Sequence, residues 1–332
     1  MVQTDLKVDL KIQNKEKSEK QRNIKALIKF YFLPGFRVPE FSEKEYEIGK
    51  KRSKRKLFRR LITPLTLLGF AMILLIVFIG IFAPWLSIYT IEEVALPHIP
   101  PLSSPFDDPS PLHLLGTTKY GYDILGRLIW GARTVITAAA FPVLISNLGG
   151  IVLGTLSAYF GGKLDYIMMR IVDFMYSFPI IIIVIIIAPM MGGKLYNILL
   201  LWGILYIPYT TRFVRSLTLQ VKQSLYVEAA ITGGADKLKV MFKHVFPNTY
   251  SALIISFFGS MAFSVLGFAS IAFLGMGDQS FADWGTDIAY SRSNLTAIGP
   301  AFWPGLFIGI TTIGFILVGD GLRDALDPRL KR

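Results

Sequence analysis

Residues 226–248 read YVEAAITGGADKLKVMFKHVFPN, a water-compatible stretch set between two apolar runs. Glu228, Ala229 and Ala230 favour a helix, Gly233 and Gly234 break it, Ala235 to Lys243 predicts a second short helix, and Pro247 is expected to stop it. Helix, glycine turn, helix is a shape that a soluble partner can grip. The apolar runs on either side are near the roughly 20 residues that a bilayer crossing needs. A polar motif held between two crossings lies at a membrane face.

The rest of the chain agrees with that setting. Its 332 residues are 52% hydrophobic, and the charge comes in blocks, which is the composition of a polytopic membrane protein. Six apolar segments stand out at about 63–88, 134–160, 171–190, 196–214, 249–274 and 301–319. Backbone polar groups find no partner in lipid, so each is expected to be an α-helix. The fold class is therefore an all-α membrane protein with six transmembrane helices, residues 61–332, preceded by a basic tail, 1–60. The first apolar run starts near Leu61, behind that charged tail and without a small-residue cleavage site, so a retained anchor is expected in place of a signal peptide.

Charge orients the bundle. The formal net charge is +12, and eighteen of the 35 Lys and Arg lie in residues 1–60, including the run GKKRSKRKLFRR from Gly49 to Arg60. Aromatic residues are not interleaved with these cations as base stacking would need, so a nucleic-acid arm is disfavoured and contact with anionic membrane lipids is expected. With the N-terminus inside, 30 of the 35 basic residues fall on the cytoplasmic side. Both termini and the loop 215–248 are then cytoplasmic, in a multi-pass protein of the plasma membrane. Within the tail, Ala26 to Phe36 is apolar enough for a short interfacial helix.

Two segments face outward on this reading. Residues 89–133 begin Pro-rich (Pro97, Pro100, Pro101) and end with an apolar stripe of Ile124, Leu125, Leu128 and Ile129, expected as a helix along the outer surface. Residues 275–300 lean acidic through Asp278, Asp283 and Asp287 and are available to touch something outside. Gly150 with Gly154 and Gly305 with Gly309 each place two small residues on one helix face, read as close packing within the chain. Pro179 and Pro208 are expected to kink the third and fourth spans.

What is missing narrows the function. Gly162-Lys163 and Gly193-Lys194 are each followed by Leu, so the P-loop hydroxyl is absent. His98, His113 and His244 stand apart, without metalloprotease spacing, and there is no cysteine for thiolate chemistry. No enzyme activity and no metal site are expected. The spans carry almost no carboxylates of the kind an ion relay keeps. Arg170 and Asp173 read as a mutually satisfied interfacial pair, and Asn147 reads as interhelical glue, with a substrate path over Asn147, Tyr206 and Tyr209 as the alternative. Energy is then expected from a partner.

The opening stretch resembles the EAA loop of ABC importer permeases: Glu228, Ala229, Ala230, Gly234 and Pro247 stand at its positions, with Phe246 where Leu is usual, and the ending His244 to Asn248 is similar to that of the dipeptide and oligopeptide subfamily. Other segments are similar too, among them His113-Leu114-Leu115-Gly116-Thr117 with Arg127 and Arg133, Phe273 to Gly277, Trp284-Gly285, and Gly319 to Leu330, which resembles the C-type subunit. Thr118 and Tyr122 depart from the subfamily pattern. The resemblance implies a type I importer permease with a cytoplasmic EAA coupling helix. It implies coupling to an ATPase through Glu228, Ala229, Ala230, Gly233, Gly234, Ala235, Asp236 and Lys239. The implied partners are a second homologous permease, two ABC ATPases that bind ATP and Mg, and an extracellular solute-binding protein; this chain itself has no cofactor. The implied cargo is di- or oligopeptides, with oligosaccharides or a metal complex as the alternative. An ATP-independent scaffold or channel subunit is the more distant rival.

Overall fold

The first helix of the bundle is apolar on every side, as a helix surrounded by lipid can be. It is α1 (Pro64–Ile81), started by the Thr63 hydroxyl, which accepts from the Thr66 N–H. The computed structural model describes residues 62–95, 104–294 and 296–326. The basic tail with its Ala26 to Phe36 patch, the prolines at 97, 100 and 101, and the terminal 327–330 lie outside the described residues.

Past α1 come two short helices, α2 (Ala83–Leu86) and α3 (Ile91–Ala95), and then α4 (Ile124–Phe160), whose first turn is capped by Asp123. Here the expected boundary moves. The stripe of Ile124 and Leu128 does not lie on a membrane surface: both side chains are buried with Ile76 and Phe315, and the helix runs unbroken for 37 residues. An apolar stripe that finds neighbouring helices packs against them, because that removes more apolar surface from water.

The third expected span is not one helix. α5 (Gly162–Tyr176) and α6 (Ile180–Met190) meet at a bend of 81°. Pro179 causes it, since a residue preceding proline is driven out of the helical region and Pro179 has no N–H to continue the ladder. α7 (Leu195–Lys222) instead continues through Pro208. The chain then turns through α8 (Leu225–Thr232) and α9 (Lys237–Val240), passes a π-helical turn at Met241–Val245, and runs into α10 (Phe246–Ile271). α11 (Trp284–Ser291) and α12 (Gly299–Leu326) complete the order.

Among the described residues four helical stretches are long and apolar enough to cross a membrane: α1, α4, Lys237–Met276 and α12; the bent pair makes a fifth if it is one span. α7 has the length, but Asn197, Thr210, Thr211 and Arg212 dilute its apolar character. The helices run alternately up and down, so the described residues have two ends: a base carrying 161–163 and 223–245, and a head carrying 82–123 and 277–298.

Glycine decides the closest crossings. A Cβ at Gly150 would lie 2.4 Å from Thr210 Cβ, and one at Gly154 would lie 2.6 Å from the Thr211 carbonyl oxygen, so α4 and α7 touch backbone to backbone as the small-residue pattern predicts. The Thr210 hydroxyl donates across this seam to the Ser146 carbonyl at 2.7 Å. Gly305 and Gly309 do otherwise: no neighbouring atom of the described residues lies within 4 Å of a Cβ at either, so that face of α12 makes no crossing among them.

The two head segments form one unit. Arg127, 2% exposed, pairs with Asp287 and donates to the Val94 carbonyl. Trp284 is wholly buried over Gly131, and its indole donates to the Leu128 carbonyl at 3.2 Å. The acidic residues expected to face outward are consumed here. Asp283 caps α11, Asp287 neutralises Arg127, and Asp278 accepts from the Leu195 N–H at 2.9 Å. Burial pushes the Asp287 carboxyl up to about 6, against the pull of the adjacent Arg127.

Candidate functional site

At the base, the polar stretch 226–248 folds as a helical hairpin. Ser224 precedes α8, and Glu228 falls in its first turn, where a carboxylate is favourable beside the unpaired N–H groups. The Thr232 hydroxyl turns back to the Glu228 and Ala229 carbonyls, and the N–H groups of Gly233, Gly234 and Ala235 close onto Ala229, Ile231 and Ala230. Gly234 has φ +79, a left-handed conformation that suits glycine. Asp236 then starts α9, its carboxylate accepting from the Leu238 and Lys239 N–H groups at 3.1 and 3.3 Å.

Pro247 does not end the second helix as expected. It sits in the first turn of α10, and the chain widens into the π-helical turn Met241–Val245 just before it. A wider turn accommodates a ring that would otherwise collide with the preceding turn. The Asn248 side chain donates to the His244 carbonyl at 2.6 Å. Hairpin and crossing helix are consequently one piece.

The hairpin has a seated side and a free side. Val227, Val240, Met241 and Val245 are buried against Tyr159, with Leu156, Val221, Ala230 and Ala235 around them, so it rests on the ends of α4 and α7. Lys222 fastens those ends together by donating to the Tyr159 and Ala158 carbonyls at 2.7 and 3.3 Å. The Asp165 carboxylate, which accepts from Arg215 Nε and Nη2, each at 2.7 Å, and from the Ser157 hydroxyl, joins α5 to the same pair. On the free side, Glu228, Ala229, Gly233, Gly234, Asp236 and Lys239 are exposed. So are Leu225, Ile231, Leu238 and Phe242, at 83, 49, 52 and 64%. Apolar side chains exposed beside a carboxylate and an ammonium, at the polar end of a membrane bundle, are the composition of a protein contact.

All eight residues expected to couple thus gather in one hairpin, six on its free side and two, Ala230 and Ala235, in its seat. Sequence reasoning missed the four apolar residues, although their presence in a polar stretch was the signal. Space near Gly234 is also open: beyond its chain neighbours, no atom of the described residues lies within 4 Å of a Cβ there. The glycine is needed here for its φ, and it leaves the surface flat for a partner.

The expected path residues are only partly brought together. Tyr206 and Tyr209 stand one turn apart on α7 with ring centroids 6.2 Å apart, and Tyr206 lines a small crevice with Ser146, Trp202, Ser260 and Ser264. Asn147 is buried on α4 and donates to the Val143 carbonyl of its own helix at 2.9 Å, so it does not join two helices as expected. The expected Arg170 and Asp173 pair is also not formed. Asp173 pairs with Arg212 across to α7, while Arg170 lies over the Tyr166 ring at 5.1 Å. Among the described residues no group of three or more His, Cys, Asp or Glu is placed to hold a metal ion.

Residues 150–332 match the family described as binding-protein-dependent transport system inner membrane component. A glutathione transport system permease protein of Pectobacterium atrosepticum is 38% identical over 228 residues, covering 68% of this chain and 75% of the relative. A probable D,D-dipeptide transport system permease protein of Escherichia coli K12 is 34% identical over 272 residues, covering 80 and 88%. A putative peptide transport system permease protein of Brucella suis is 29% identical over 299 residues, covering 89 and 96%.

Proposed function

The chain belongs to the binding-protein-dependent transport system inner membrane components, and from that premise we propose that it is the permease subunit of an ATP-driven importer of peptides. The relatives named for glutathione, dipeptides and peptides support the cargo class. The observation that carries the mechanism is the hairpin at the base, seated on α4 and α7 and continuous with α10.

In this reading the subunit has six crossings, α7 among them, and both termini are cytoplasmic. Two ABC ATPases bind ATP and Mg, and one of them receives the free side of the hairpin. Leu225, Ile231, Leu238 and Phe242 enter its cleft, and Glu228 and Lys239 set the register by charge. A rigid-body movement of the ATPase tilts the hairpin. Because α9 leads into α10 without a break, and because Tyr159 and Val221 belong to the ends of α4 and α7, the tilt reaches three crossing helices at once. A second, homologous permease completes the pathway, and an extracellular binding protein delivers cargo to it. Tyr206 and Tyr209, on α7, are the side chains assigned to that path.

The test is copurification with the ATPases together with peptide-stimulated ATP hydrolysis in reconstituted vesicles. Leu238→Asp combined with Phe242→Asp places charge in the contact and is expected to lower ATPase copurification at least tenfold while the chain remains folded. Unchanged copurification and uptake would dismiss the hairpin as the coupling element. Competition of uptake by a tripeptide, and none by an oligosaccharide, is the result expected for the cargo.

A further inference from the structure

Unlike Arg127, Arg212 and Arg215, each of which pairs with a carboxylate, Arg133 has no ion-pair partner among the described residues. It is nonetheless part of an apolar helix. Its Nε donates to the Gly80 carbonyl at 2.8 Å and its guanidinium lies 5.3 Å from the Trp130 ring centre, which leaves the two terminal nitrogens without a partner among those residues. Gly80 is the penultimate residue of α1. Arg133, the residue just before the expected second span at 134–160, therefore sits beside the end of α1, and we take this level as the edge of the hydrocarbon.

Arg133 borders an open cleft of about 540 Å³, a volume suited to a small ligand or a lipid segment. Its walls are Val77 and Ile81 of α1, Trp130 and Ile136 of α4, Tyr196 of α7, and Phe281. Thr134 and Thr137 also line it, but their hydroxyls are already committed to the Ala282 and Arg133 carbonyls at 2.7 and 2.9 Å. A cation at the edge of hydrocarbon is costly unless an anion or water meets it. The remaining wall is carbon and aromatic ring, with the exposed Tyr196 at one side.

We propose that this cleft is a phospholipid site, with the headgroup phosphate on the terminal nitrogens of Arg133 and an acyl chain along Val77, Ile81 and Ile136. A guanidinium suits a phosphate because its planar fork presents paired donors. A peptide fits less well. Its carboxylate would satisfy Arg133, but each backbone carbonyl laid in the cleft needs a donor, and the threonine hydroxyl protons are spent. The proposal does not depend on the cargo or on the ATPase contact.

Native mass spectrometry of the full chain, purified in mild detergent and titrated with dioleoyl phosphatidylglycerol, tests it. The wild-type chain is expected to retain one lipid that Arg133→Ala binds about tenfold more weakly, the loss of one charge-assisted contact. Val77→Trp fills the cleft without touching the charge and is expected to lose the same lipid. Matched thermal melting identifies a variant that fails to fold, and the other variant then decides. Retention unchanged in a folded variant of either kind overturns the proposal. So does displacement of the lipid by inorganic phosphate alone, which marks a free-anion site, or by a tripeptide with a free carboxylate but not by its amide, which marks a peptide site.

Discussion

Gly234 and Gly150 are glycines for opposite reasons. Gly234 has open space around it and needs its left-handed φ, whereas Gly150 has an ordinary helical backbone and no space at all. Gly234→Val is therefore expected to cost the hairpin about 1–2 kcal/mol by forcing a β-branched residue to positive φ. Peptide uptake should fall more than expression does, which vesicle transport normalised to protein level measures. Gly150→Leu is expected to separate α4 from α7 and lower the melting temperature of the purified chain. Gly305→Leu, on the open face of α12, should leave the melting temperature of the isolated chain unchanged. The i, i+4 spacing of glycines is the same in both helices, and only the neighbours distinguish them.

At the scale of elements, the hairpin's caps matter more than its helix lengths. α9 is the first turn of the continuous helical stretch Lys237–Met276, and a first turn has N–H groups that no residue of its own helix can accept from. The Asp236 carboxylate and the buried Val240 and Met241 hold it in place. Asp236→Ala is expected to destabilise this turn by about 1 kcal/mol, with Asp236→Asn close to wild type. Amide exchange at Leu238 and Lys239 would register the difference. The sequence marked the glycine turn and a short helix after it, but Pro247 misled, because a proline in the first turn of a helix and a proline after the last turn of another are alike in sequence. What chose between them was α10 following at once and a π-helical turn absorbing the ring.

For the molecule as a whole, the head is where buried charge governs stability. Removing one partner of a buried pair leaves the other uncompensated, so Arg127→Ala is expected to cost about 3–5 kcal/mol, seen as loss of folded protein in detergent. The pH dependence follows from the sign of the Asp287 shift. Its folded value of about 6 lies above the ordinary 3.8, so the folded head takes up a proton before the unfolded chain does. The contribution of this carboxyl is fully present below about pH 4 and is lost as pH rises through about 6. Comparing melting temperatures of wild type and Asp287→Asn from pH 4 to 8 should show a downward slope in that window that the variant lacks.

The amino-acid sequence by itself determined the all-helical membrane class, the position of the polar hairpin and the family resemblance, because hydropathy, charge blocks and glycine spacing are local properties of the chain. It did not determine where helices begin once they find neighbours: Ile124 starts a crossing helix because Ile76 and Phe315 cover its stripe, and Pro179 splits the third segment by 81°. Nor did it determine which charges are spent. Asp283 and Asp287 read as surface acids and are buried, Asp173 exchanges its expected partner for Arg212, and Arg133 is left without one among the described residues. Pairing depends on residues up to 160 positions apart in the chain, as for Arg127 and Asp287, and only the tertiary structure brings such residues within reach of each other.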